Sequence, residues 1–479
     1  MAPSTLSMDF TAFRNVINNQ LTSTATTRHS INPATGQPNP EVPVSTQEDL
    51  DRAVKSARNA FKYWSKTSFD ERRKALHAYA DAIASNADGF ARLLTMEQGK
   101  PLSQSIVEVG LASTWIRGLS AIEIPVNCIE QTDERKIIQR YTPIGVCGAI
   151  VPWNFPVLLA IGKITMALYT GNTIIVKPSP FTPYCDLKLV ELATQFFAPG
   201  VMQALSGDNR LGPMFTKHPG IDKISFTGSI ATGKLVMASC AKTLKRVTLE
   251  LGGNDPAIVC DDVDIDAIVP KIGILSYLCS SQICMMIKRL YVHEKIYDQF
   301  LEKLVAFVKT LKVGDGTEPD TFFGPVQNKM QFEKAKDLLS SITADKLSVV
   351  LGGLFEDSKG YFIHPTIVSN PPHSSRVVQE EPFAPILPVL KWSNEDDVIE
   401  KANAVDTGLG ASVWSKDFDR ATRMANKLQS GIVWINSHFE VAPNAPFGGH
   451  KQSGIGVEWG LSGLLEYCNS QTQWLKECL

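Results

Sequence analysis

The chain lacks the features that would assign it to several large classes of protein. Its nine cysteines are an odd number, spread from Cys128 to Cys478 with no CxxC pair. That spacing excludes a disulfide framework and the usual zinc sites, so no metal is expected, and it implies reduced thiols in an intracellular compartment. Neither sign of charge is in excess: 47 Lys and Arg stand against 49 Asp and Glu, a formal net charge of −2. Such a balance gives no electrostatic case for a nucleic-acid or membrane partner. Long apolar runs are missing too. The most apolar stretch, FPVLLAIGKITMALYTG, is broken by Lys163 and is too short to span a bilayer. The first residues, MAPSTLSMDFTAFRN, show no basic segment leading into an apolar one, so no signal peptide is expected. Together these absences predict a cytoplasmic protein.

What is present is ordinary for a globular protein: 44% hydrophobic and 20% charged residues over 479 positions, enough for roughly three domain-sized units. Residues 1–45 read as a polar, turn-rich meander containing INPATGQPNP. From Gln47 to about Thr95, apolar residues recur at helical spacing between charges, which predicts amphipathic helices. From residue 138 strand and helix patterns alternate: IGVCGAIVPW, FPVLLAIGKITMAL, NTIIVK, a helix near 184–196, VMQALS, IDKISFTG, ATGKLVMASCA and RVTLEL. Such alternation predicts a parallel sheet covered on both faces, as in doubly wound nucleotide-binding domains. After residue 262 it resumes with RLYVHE, a helix over 296–311, LSVVLG, ASVWS, a helix near 418–427 and GIVWIN, a second α/β unit.

Four stretches carry candidate chemistry. ISFTGSIATGKL puts Gly228 at a strand end and, four residues on, Gly233-Lys234 opening a helix, one residue short of a P-loop, because Leu235 replaces the magnesium-binding hydroxyl. An NTPase is thereby disfavoured, while a glycine turn at a helix start suits a phosphate, or is simply a tight turn. The GxGxxG fingerprint is absent from this segment, so a dinucleotide would be held differently. In VTLELGGNDPAIV, Glu250 ends an apolar strand before Gly252-Gly253, either as a partly buried general base or as a solvated strand-end acid. SYLCSSQICMMIK holds Cys279 and Cys284, readable as a nucleophile, a redox pair or small core residues. His293 is available for a Cys/His hydrolase, without a signature around it. In PWNFP, Asn154 is pinned between prolines where its amide could meet an oxyanion.

In order and spacing, PWNFP, VKPSP, FTGSIATG, LELGGNDP, SQIC with KRLYVHE, EEPFAP and PFGGHKQSGIGVE resemble the aldehyde dehydrogenase superfamily over about residues 30–475. The resemblance implies a modified Rossmann dinucleotide-binding domain (1–123 and 142–251), a second α/β catalytic domain (252–435) and a small β oligomerisation arm (124–141 and 466–479). The arm segments would pair as strands between subunits of a homodimer or homotetramer. Cys284 matches the nucleophile, Asn154 the oxyanion donor and Glu250 the general base of hydrolytic members. Lys177, Gly228, Ser229, Trp153, Glu381 and Phe383 match the cofactor site, for NAD or NADP. Phe155, Gly162, Ile283, Met285, His438 and Phe439 are expected to line the pocket, with Gly162 leaving room for a bulky hydrophobic or neutral aldehyde.

Three departures stand out. Cys279 and Ser281 occupy positions usually held by Asn and Gly, and Ser reaches glycine-like backbone geometry only at a cost. Ala384 replaces a usual glycine, and Pro180 stands where many NAD-preferring members carry a glutamate. A CoA-acylating or reductive relative is the near rival, disfavoured by Glu250, and a repurposed scaffold is a further alternative.

Overall fold

The computed structural model describes residues 8–353 and 359–476. Residues 1–7 and 477–479 of the expected units, with Cys478, lie outside them. Two mostly parallel sheets form the body. In the first, the five parallel strands are Val146–Ile150, Thr173–Lys177, Met202–Ala204, Lys223–Thr227 and Arg246–Glu250. In space Val146–Ile150 lies between Thr173–Lys177 and Lys223–Thr227, so the chain winds outward in both directions from it. This is the doubly wound order, and its switch point lies at the carboxyl ends of Val146–Ile150 and Lys223–Thr227. PWNFP leaves the first of these ends and Gly228-Ser229 the second, so two of the candidate stretches converge by topology alone.

Short antiparallel strands close the edges of this sheet. Asn15–Ile17 pairs with Met202–Ala204, and Gly454–Ile455 pairs with Arg246–Glu250. Residues 8–45 are thus more structured than a meander. Thr27–Ile31 and Pro38–Pro43 form a hairpin around NPATGQ, and Asn15–Ile17 extends the main sheet. These strands run three to six residues without clean alternation, which hid them from periodicity.

The helix Pro156–Tyr169 is buried along its whole length, Lys163 included. A helix apolar all round belongs in an interior, and this one runs back from the switch point beneath the helix Leu102–Ser120. Capping boxes start the first two amphipathic helices, Thr46 with Asp49 for Gln47–Trp64 and Ser68 with Glu71 for Phe69–Ser85.

Only Leu251 to Asn254 separate Glu250 from Asp255–Val259, a central strand of the second sheet. That sheet runs in the order Val349–Leu351, Thr366–Ser369, Ile386–Trp392, Ile287–His293, Asp255–Val259, Gly410–Trp414 and Ile432–Ile435. All its pairs are parallel except the first, at one edge.

Outside both sheets, Asn127–Gln131, Lys136–Pro143 and Cys468–Leu475 make a three-stranded antiparallel sheet. Within the chain the two arm segments already make a sheet, and pairing between subunits would use its outer strands. The two segments pair with each other in a continuous register from Cys468 opposite Pro143 to Leu475 opposite Lys136. Among the described residues no helix is long and apolar enough to cross a membrane.

Candidate active site

Cys284 lies in the loop between the helix Ile265–Tyr277 and the strand Ile287–His293. The loop opens with a left-handed turn: Cys279, Ser280 and Ser281 have φ of 54°, 53° and 59°. Each such residue costs about 1–2 kcal/mol when it is not glycine. Hydrogen bonds from outside the loop hold it there. The Cys279 N–H donates to Gln104 Oε1 (3.0 Å) and the Ser280 hydroxyl to the Gly324 carbonyl (2.7 Å). Gln282 Nε2 donates to the carbonyls of Cys279 (3.0 Å) and Pro325 (3.2 Å), while its Oε1 accepts from the Gln327 N–H (2.9 Å). Lys288 Nζ holds the far side, donating to the Cys284 carbonyl (2.8 Å), the Gly253 carbonyl (3.0 Å) and Glu381 Oε1 (2.6 Å). Cys279 itself is buried, whereas Cys284 is partly exposed.

Cys284, Glu250 and Asn154 line one cavity of about 280 Å³. Asn154 Nδ2 donates to the Gln282 carbonyl at 2.9 Å, so the amide is held two residues from the thiol. Glu250 is 2% exposed, and neither carboxylate oxygen has a hydrogen bond of ordinary geometry. Burial first, and the nearby Glu458 charge second, raise its pKa to about 7; the Cys284 and Thr227 side chains and Lys163 offset part of that rise. Burial and then the Glu250 charge raise the Cys284 thiol well above its usual range. The resting pair is therefore a neutral thiol beside a carboxyl poised near neutral pH.

Of the six residues expected to line the pocket, Phe155, Ile283, Met285 and Phe439 do so. Gly162 and His438 do not. A Cβ at Gly162 would lie 2.7 Å from Trp459 Nε1, so the missing side chain makes room for a tryptophan rather than for substrate. His438 sits behind Met285, with Nε2 on the Met285 carbonyl (3.0 Å) and Nδ1 on the Ser412 hydroxyl (2.9 Å). Burial drops its pKa to about 3, so the ring is neutral; Nε2 must carry the proton and Nδ1 accept from Ser412. His293 is packed edge-on against Trp392 and is not among the cavity residues.

Several wall residues were not singled out from the sequence. The helix Leu102–Ser120 contributes Ser103, Gln104, Val107, Glu108 and Leu111, and the tail contributes Phe447 and Trp459. Phe447 falls within PFGGHKQSGIGVE, but nothing local marks any of these as a wall residue, because they come from distant segments that only the fold brings together. Lys163 had a usable signal, being one charge in an otherwise apolar helix. It pairs with Glu458 and also donates to Ser225 Oγ (3.0 Å) and Thr227 Oγ1 (2.9 Å).

The residues matched to a dinucleotide site suit one. Lys177 ends Thr173–Lys177 as a buried ammonium whose hydrogen-bond partner is the Pro178 carbonyl (2.7 Å), and burial lowers its pKa to about 8. A buried cation without an anion bonded to it is costly alone and suits a polar ligand. Gly228 and Ser229 precede the 12-residue helix Ile230–Ala241, with Ser229 accepting the Thr232 N–H, so the remaining amides of a helix start face the switch point. Trp153 and Phe383 meet edge to face at 5.3 Å, linking the first sheet's loop to the second sheet's. Glu381, ion-paired with Lys288, lies beside them. Among the described residues no group of three or more His, Cys, Asp or Glu converges to hold a metal ion.

The model of the Aldehyde dehydrogenase family matches residues 21–473. The aldehyde dehydrogenase LUC3 of a Fusarium species is 42% identical over 470 residues, covering 98% of this chain and 100% of that protein. Retinaldehyde dehydrogenase 3 of Rattus norvegicus is 37% identical over 459 residues, covering 93% and 89%. The crystal structure of betaine aldehyde dehydrogenase from Staphylococcus aureus in complex with NAD+ superposes with a TM-score of 0.94 at 34% identity, covering 97% of this chain and 95% of that one. The chain therefore belongs to the aldehyde dehydrogenase family, and it oxidises an aldehyde to the carboxylic acid.

Proposed function

We propose that the substrate is an apolar aldehyde and that it is oxidised through a thioester on Cys284. The observation that carries this reading is the shared cavity, where a thiol, a carboxyl and an amide meet between walls of Phe155, Leu158, Leu159, Val441 and Phe447. The Glu250 carboxylate takes the Cys284 proton, and the thiolate attacks the aldehyde carbon. Asn154 Nδ2 and the Cys284 N–H stabilise the resulting oxyanion. A nicotinamide dinucleotide, NAD+ as in the Staphylococcus aureus betaine aldehyde dehydrogenase, would supply the two-electron acceptor for oxidation of the Cys284 thiohemiacetal to a thioester. Glu250, once it has released the Cys284 proton to solvent, takes a proton from water, whose oxygen attacks the thioester carbonyl; collapse releases the acid and the Cys284 thiolate, which Glu250 reprotonates.

Lys177, Gly228, Ser229, Trp153, Glu381 and Phe383 are the residues proposed to hold the dinucleotide, within the unit 1–123 plus 142–251 and against the thiol-bearing unit 252–435. Pro180 carries no carboxylate to repel a 2′-phosphate, so NADP is a second candidate cofactor. The arm has exposed strands suited to assembling a homodimer or homotetramer, and the free cysteines suit a reducing compartment such as the cytoplasm.

Steady-state rates for a series of linear, aromatic and charged aldehydes test the substrate class. Each added methylene should raise kcat/KM by about fourfold, near 0.8 kcal/mol, until the cavity is filled. A preference for a charged aldehyde would overturn the reading.

A further inference from the structure

Lys100 and Glu108 form an ion pair that is wholly buried beside the substrate cavity, and the chemistry above does not use it. Both side chains have zero exposure, a costly arrangement unless each charge is tied to further partners. Those partners are specific. Lys100 Nζ donates to the Asn154 carbonyl at 2.8 Å and sits 3.5 Å from the centre of the Phe155 ring. Glu108 Oε1 accepts the N–H groups of Val157 (3.0 Å) and Leu158 (3.2 Å), the first turn of the helix Pro156–Tyr169. One ion pair thus grips both sides of the PWNFP turn.

The same segment reaches the nucleophile loop. Gln98 Oε1 accepts the Lys100 N–H (2.9 Å) and lies 3.8 Å from Cys279 Sγ, while Gln104 Oε1 accepts the Cys279 N–H (3.0 Å). The turn bearing Asn154 and the loop bearing Cys284 are therefore both fastened to residues 98–108. Between them runs the Asn154 Nδ2 bond to the Gln282 carbonyl (2.9 Å). That bond occupies one amide hydrogen and leaves the other for a ligand in the cavity.

We infer that Lys100, braced by Glu108, is a positioning residue for the reaction: it fixes the backbone of Asn154 so that the free amide hydrogen is aimed at the substrate oxygen. Lys100 is not part of the cavity wall, so it acts through Asn154 and not on the substrate. A displacement of well under 1 Å at such a donor weakens a hydrogen bond that matters chiefly in the transition state. The inference rests on the reading of Asn154 as the oxyanion donor.

The test is a mutant cycle. Lys100→Met alone strands a buried Glu108 charge and endangers folding, so the working variant is Lys100→Met/Glu108→Gln, which keeps an acceptor for the Val157 and Leu158 N–H groups. It is compared with Asn154→Ala and with the triple variant, using kcat and KM for one short aldehyde. Lys100→Met/Glu108→Gln should lower kcat by about one to two powers of ten, with KM changed less than about threefold. In the Asn154→Ala background the same two changes should cost less than about threefold more, because the group they position is gone. Losses that multiply, or a Lys100→Met/Glu108→Gln variant with wild-type kcat, would overturn the inference alone. Wild-type kcat in Asn154→Ala would instead overturn the oxyanion reading on which it rests.

Discussion

Asn154 Nδ2 and the Gln282 carbonyl are 2.9 Å apart, and this hydrogen bond joins the loop leaving the first sheet to the loop entering the second. It places a side-chain amide beside Cys284 without any contribution from substrate. Asn154→Ala removes both the amide donor and this tie. The expected loss in kcat is about two to three powers of ten, with a much smaller change in KM. Steady-state rates with saturating NAD+ check it, and a loss confined to KM would contradict the assigned role.

Glu250 predicts the pH dependence. Its pKa is raised from 4.5 to about 7, so the basic form is gained as pH rises through neutrality. The logarithm of kcat/KM should climb with unit slope below about pH 7 and level off above it. In Glu250→Gln that limb should vanish along with most turnover.

The same group links stability to pH. Below 4.5 the carboxyl is protonated in both the folded and the unfolded chain. Between 4.5 and about 7 the folded chain binds more protons, so stability is lost as pH rises through that window. The loss attributable to this one group is about 3 kcal/mol. Thermal unfolding of Glu250→Gln should show a smaller decline from pH 5 to 8 than the wild type.

Gly162 faces Trp459 and not the cavity, with a virtual Cβ 2.7 Å from Trp459 Nε1. Gly162→Ala should therefore push the indole, which is itself a cavity wall, toward the substrate. The expected results are a stability loss of about 1–3 kcal/mol and a fall in kcat/KM that is steeper for bulky aldehydes than for short ones. An enlarged substrate range would contradict this geometry.

The parts of the site that were legible in the sequence are those carried by short contiguous motifs at strand ends. Asn154, Gly228 and Glu250 could be placed because a doubly wound sheet puts the residues after its strands at a common edge. Phe155 follows because it adjoins Asn154, and Ile283 and Met285 because they flank Cys284. Lys100, Glu108 and Trp459 were not legible, since their roles come from packing between segments at least 49 positions apart. Gly162 shows the limit of reading size as space: a glycine near a site can be filled from the other side. His438 shows another, because a histidine beside an active site can be wholly committed to backbone and serine partners. The strand Ile386–Trp392, buried apart from Lys391, has no alternating pattern for periodicity to reveal.

The Cys279–Ser281 turn bears on loop stability. Ser281 has φ of 59°, a conformation glycine adopts without the Cβ penalty. Ser281→Gly should leave kcat within about twofold and change stability by less than about 1 kcal/mol, since relief of strain is set against the greater freedom of glycine in the unfolded chain. A large gain in kcat would mean that the serine, and not the hydrogen bonds around it, limits presentation of the thiol.

The central claim is that Cys284 carries the substrate as a thioester that Glu250 helps to hydrolyse. Intact-protein and peptide mass spectrometry of Glu250→Gln, quenched in acid after mixing with an aldehyde and NAD+, tests it most directly. The account predicts one added acyl group per chain, located on Cys284, and its loss when Cys284→Ala is introduced but not when Cys279→Ala is. An acyl group on Cys279, or full turnover in Cys284→Ala with no adduct anywhere, would contradict it.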